Sequence, residues 1–178
     1  MKKLYSVLVI TAMGVFIFIY LNSSFYQNGN NEESIVKTIQ SLDLFENSSI
    51  EIIDIKDVGE ERVVAFLSNN TPAYSHFEKD KYGNYDWKSA EKKEGTLAHF
   101  LITLSQDMGD GYPNLIYLTI TTQDNEISKM ELGANEYVFV EAFDLNRNSA
   151  TWTELPKEKE IAIEHKYYDI DGNLIENE

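Results

Sequence analysis

Tyr82, Tyr85 and Trp87 lie within one eleven-residue stretch, FEKDKYGNYDW (residues 77–87), with three acids, two lysines and a Gly-Asn pair. Rings presented side by side on a hairpin offer a stacking platform, so these three form a candidate partner-binding patch. The structural alternative is two strands and the turn between them. Strand alternation sets His76, Glu78 and Asp80 on one face and Phe77 and Lys79 on the other. Beyond the turn, Tyr85 and Trp87 share one side, opposite Asp86 and Lys88, which is the pattern of a half-buried hairpin. Gly83-Asn84 supplies the positive φ of a tight turn.

Other residues able to do chemistry are more scattered. His76, His99 and His165 sit in no HxH or HExxH spacing, so no zinc site is written locally. His165 continues the face set by Ile161 and Ile163, which predicts a sheet histidine with a structural partner. No serine stands in a G-x-S-x-G or S-x-x-K context, and no phosphate-binding glycine loop is present. DIDGN (residues 169–173) brings its glycine too early for a calcium loop and reads as a hairpin turn, with weak calcium binding as the alternative. DMGDGYPN (residues 107–114) reads as a loop that could offer oxygen ligands. With no cysteine there is no disulfide, thiolate ligand, cysteine nucleophile or lipid-modified cysteine anchor. No cofactor and no metal is called for, and the expectation is a protein that is not an enzyme.

The net charge is −15, and Lys2 and Lys3 precede the first acid, Glu32. Beyond residue 30, thirteen basic side chains face thirty acidic ones, a balance of −17. Such a surface repels phosphate backbones and excludes nucleic acid as a partner.

These residues must be carried by the following elements. After Lys2 and Lys3, residues 4–21 carry no charge, with Tyr5 and Tyr20 near the two ends. At ~1.5 Å per residue this nearly spans a ~30 Å hydrocarbon layer. The flanking lysines predict a cytoplasmic N-terminus and an extracytoplasmic body. The reading is a transmembrane signal anchor; the rival is a cleaved signal peptide with a secreted product, although LNSS (residues 21–24) matches a small-x-small site poorly. Residues 22–31 read as a polar, flexible stalk. Asn30 and Glu33 resemble a capping box, and Ile35, Val36, Ile39 and Leu42 make one stripe of a short amphipathic helix over 31–42.

From residue 49 the period becomes two. Strands are predicted at 50–55, 62–67, 73–80 and 85–89, with SNNTP (residues 68–72) a loop and SAEKKEG (residues 89–95) a charged joint. Further strands follow at 97–104, 114–122, 127–132, 136–143, 151–155 and 160–169. The fold class is α+β, mostly antiparallel β. Its organisation is an anchor and stalk start (1–27), a helix with an antiparallel sheet (28–94), and a β-rich, curled or sandwich-like unit (95–178).

In order along the chain, VVAFLSNN leading into FEKDKYGNYDW, then ITTQDNEISKMEL, then TWTEL followed by EIAIEHKYYDIDGNLI, resemble small, single-span, membrane-anchored extracytoplasmic proteins of unknown function from Gram-positive bacteria. The resemblance covers roughly residues 50–176. It implies a β-rich envelope domain with no assigned enzyme activity and carries no site residues. The functional expectation is a non-catalytic, membrane-tethered module that contacts another envelope protein or a wall component. The alternative is an extracytoplasmic cation or small-ligand sensor, and a cell-wall hydrolase ranks third.

Overall fold

In a computed structural model of the chain, the structure describes residues 11, 13–17, 28–104, 112 and 114–175. The predicted span at 4–21, most of the stalk and the loop at 107–114 fall largely outside these residues. Among the described residues no helix is long and apolar enough to cross a membrane. The body is mostly antiparallel β-sheet, as the period-two patterning predicts.

The first sheet is a meander in the order β1 (Ile50–Val58), β2 (Glu61–Ser68), β3 (Thr71–Lys79), β4 (Tyr85–Lys92). Its β2–β3 turn is Asn69-Asn70, with φ of 50° and 66°. Asparagine tolerates this left-handed region, so the pair makes a two-residue hairpin turn. The expected five-residue loop SNNTP is therefore shorter, and Pro72 lies inside β3 opposite Leu67. The β3–β4 connection, residues 80–84, is one residue longer than the gap left between the predicted strands, because β3 ends at Lys79. Residues 80–84 close around the Asp80 carboxylate, which accepts from Tyr82 N and Asn84 N, both at 2.8 Å.

Helix α1 (Glu32–Gln40) covers one face of this sheet. Its N-cap is Asn31, in reciprocal hydrogen bonds with Ser34, rather than the expected Asn30–Glu33 pair. Asn30 is already engaged: its Oδ1 accepts from Tyr85 N at 2.9 Å. Ile35 and Ile39, with Phe45 from a 3₁₀ turn (Asp43–Phe45), pack on Val64, Phe66, Ala73, Phe77 and Tyr85.

The residues just before the helix are docked, not free. Gly29 N donates to Tyr85 O at 2.7 Å, and Asn28 bridges Asp86. Arg62 donates to Gly29 O at 2.6 Å and forks onto Asp57 with two 2.7 Å bonds, while its guanidinium lies 4.1 Å from the Tyr85 ring centre. The predicted stalk thus ends by residue 28.

The second sheet has the order β5 (Leu97–Leu104), β6 (Asn114–Thr121), β9 (Ser149–Glu154). Ala98, Phe100, Ile102, Leu104, Ile116, Leu118 and Ile120 face the first sheet and share a core with Val63, Ala65 and Leu67. Hence β2 is apolar on both faces, one under the helix and one against the second sheet. Residues 93–96 carry the chain between the two sheets, which meet in this one core.

The third sheet has the order β11 (Leu174–Ile175), β10 (Ile163–Tyr168), β7 (Lys129–Ala134), β8 (Tyr137–Ala142). Met130, Leu132 and Ala134 close a third core with Tyr117, Phe143 and Leu155. The architecture is four layers: helix, sheet, sheet, sheet.

Candidate binding cleft

Alternation along β5 sends Ala98, Phe100 and Ile102 into the core shared with the first sheet. Leu97, His99 and Leu101 consequently point the other way, toward the third sheet. The same rule puts Tyr117 of β6 and Ile163, His165 and Tyr167 of β10 on the facing surfaces. Between them lies an open cleft of about 700 Å³. Leu97, Leu101, Ile127, Ile163 and Ile175 form its apolar walls, and Lys93 and Glu94 stand at its rim.

Its polar lining is a cluster of four rings. His99 and His165 stack with centres 4.7 Å apart and planes 6° from parallel. Tyr117 stacks on His99 at 5.3 Å. His99 Nε2 and the Tyr167 hydroxyl are 2.7 Å apart, and His99 Nδ1 is 3.2 Å from Thr119 Oγ1. The Tyr117 hydroxyl is hydrogen-bonded to His165 Nε2. That hydroxyl belongs to a residue only 3% exposed and has no other acceptor among the described residues, so we assign it as the donor to Nε2, the choice that leaves no buried hydroxyl proton unpaired. A neutral His165 then carries its proton on Nδ1.

The cluster is uncharged. Burial, the neighbouring His165 and the Lys93 charge push His99 down to about 3. Burial lowers His165 and raises Tyr117 and Tyr167. Lys93 is committed elsewhere: its ammonium donates to His99 O at 2.6 Å and lies 3.4 Å from Glu91. Behind the rings, Glu141 of β8 is 5% exposed, and burial raises its carboxyl above the ordinary range despite the Thr153 and Thr119 hydroxyls beside it. No family model, curated protein or solved structure matches this chain.

Tyr82, Tyr85 and Trp87 are not brought together in one exposed patch. Tyr82 is 78% exposed at the hairpin tip. Tyr85 is buried beneath Arg62 and belongs to the helix-side core. Trp87 lies on the same face, opposite Phe77, and borders a shallow recess with Leu42, Leu44 and Ala90. Tyr85 is therefore scaffold.

The turn at 169–173 behaves as the hairpin reading expects: Asp169 accepts from Asn173 N at 2.8 Å and from its side-chain amide at 2.9 Å. His76 sits 2.6 Å from the buried Glu61 on the neighbouring strand. The face shared by Ile163 and His165 was visible in the sequence. Its meeting with His99 was not, because no local spacing links β5 to β10.

Proposed function

We propose that this chain is a non-catalytic binding module, tethered to the outer side of a membrane by residues 4–21, that takes up a component of the cell envelope in the cleft between its second and third sheets. The uncharged leader behind Lys2 and Lys3 supports the tether. The observation that carries the binding reading is the open, apolar-walled cleft with hydrogen-bonding rings in its lining, the composition of a recognition site. Both imidazoles are held by tyrosine hydroxyls, which suits recognition better than proton transfer to a nucleophile. A small-ligand sensor is the second reading, favoured by the cleft volume of about 700 Å³.

Two experiments test this. Alkaline phosphatase fused after Glu178 is active if the body is extracytoplasmic; activity confined to a cytosolic reporter at that position refutes the tether. A benzophenone amino acid replacing Leu101 at the cleft, compared with one replacing Tyr82 at the hairpin tip, tests the surface in living cells. A macromolecular adduct from Leu101 alone supports the envelope reading. An adduct from Tyr82 alone moves the site to the hairpin and overturns it.

A further inference from the structure

The chemistry of the lining narrows what the cleft takes. Four features bear on it: the charge of the rings, the rim, the walls and the donors left over. His99, His165, Tyr117 and Tyr167 are neutral, and their ring nitrogens and hydroxyls face one another in pairs. The rim charges, Lys93 and Glu94, are of opposite sign, and the Lys93 ammonium is already bound to His99 O. An anion entering the cleft finds no uncommitted cation among the described lining residues and meets a body of charge −17. A cation loses hydration without gaining a carboxylate beyond the rim. The walls are isoleucine and leucine.

Within the ring cluster, one polar group has no partner among the described residues. Tyr117 donates to His165 Nε2, which leaves Nδ1–H as a donor, and among the described residues this nitrogen has no hydrogen-bond partner. His165 itself lines the cleft. A carbonyl oxygen is the complement of such a donor, and a charged group is not needed to satisfy it.

We propose that the cleft binds an uncharged molecule with an apolar body and one carbonyl acceptor, of the amide or ester type, held by His165 Nδ1–H against the walls formed by Leu101, Ile127, Ile163 and Ile175. This rests on the reading of the cleft as the binding surface. Leu97 and Leu101 on one side and Ile163 on the other bracket the apolar body, and the ring stack supplies a flat floor.

The test uses the full chain in lipid nanodiscs with labelled isoleucine methyls. Acetanilide, phenylacetate and benzyltrimethylammonium serve as probes of similar size and different charge. Acetanilide is expected to shift the methyls of Ile127, Ile163 and Ile175 saturably and to bind about tenfold or more tightly than either charged probe. Leu101→Trp, at a half-exposed position that tolerates a larger side chain, is expected to fill the cleft and abolish these shifts. His165→Phe keeps a ring and is expected to erase the advantage of acetanilide while leaving the Leu101 side intact. Equal or tighter binding of a charged probe overturns the ligand class but leaves the cleft as a site. Absence of any saturable shift, or shifts unchanged by Leu101→Trp, overturns the site itself.

Discussion

A proton added to His99 enters a stack of rings closed in by burial, so the folded chain resists protonation there and acid weakens the fold. In the folded chain its pKa is held down to about 3, against an ordinary value near 6.5. The fold therefore favours the neutral form. That contribution is complete above the ordinary value and is lost as pH falls from there toward 3, amounting to about 2 kcal/mol lost at pH 5. His165, lowered in the same direction, adds to this limb. Urea midpoints measured from pH 7 to pH 4 should fall steeply for the wild type and less for His99→Gln; equal slopes would contradict the assignment.

Glu141 acts with the opposite sign. Its carboxyl is raised by burial, so the protonated form is favoured and stability declines as pH climbs above the ordinary carboxylate range. Glu141→Gln should flatten that decline while leaving the acid limb unchanged. Little of this was legible beforehand. The face containing His165 could be read from alternation with Ile161 and Ile163, but its hydrogen-bond partner Tyr117 lies 48 positions away. Nothing in local spacing encodes such a contact.

At the scale of elements, the sequence announced the strands well and the turns less well. Period-two patterning, interrupted by turn-rich separators, locates β1 to β10 even though β1 and β10 contain no fully buried side chain. The turns depended on side-chain chemistry that pattern alone does not reveal. Asn69-Asn70 takes positive φ at both positions, which shortens a loop that SNNTP made look longer. At the β3–β4 tip, the Asp80 carboxylate draws residue 80 itself out of the predicted strand and organises the turn through 84.

The docked segment before α1 gives a sharper test. A Cβ at Gly29 would come within 2.6 Å of the Phe77 ring, which is itself fully buried. Gly29→Ala should cost about 1–3 kcal/mol, as overpacked cores do, and should raise amide exchange at Gly29 and Tyr85 first. Arg62→Lys should act on the same segment. Lysine cannot fork onto Asp57 while also reaching Gly29 O, so a loss of about 1–2 kcal/mol by denaturant titration is expected.

For the whole molecule, the middle sheet couples everything. Its strand β6 sends Leu118 and Ile120 toward the first sheet and Tyr117 toward the third. Leu118→Ala, at a fully buried position, should cost about 2–5 kcal/mol and lower a single thermal transition rather than split it. Two separate transitions would show that residues 28–94 and the remainder unfold independently. The order of these layers could not be read from the sequence. A run such as RVVAFL signals a strand covered on both faces, but not which layers cover it. Charge was easier: an excess of −15 makes self-repulsion a property of the whole surface, and added salt should raise the melting temperature by screening it.

The hydrogen-bonded patch at residues 28–30 also has a mechanical meaning. In the proposed tether, a tug arriving through the leader would be borne first by the Gly29–Tyr85 bond, the Arg62 grip on Gly29 O and the Asn30 contacts with Tyr85 and Asn84. Only after these rupture does tension reach the helix and the sheet beneath it. A tether of the kind proposed would thus have a sacrificial fastening at its neck, one that lets the link lengthen under load while the three-sheet body, and the cleft within it, keep their shape.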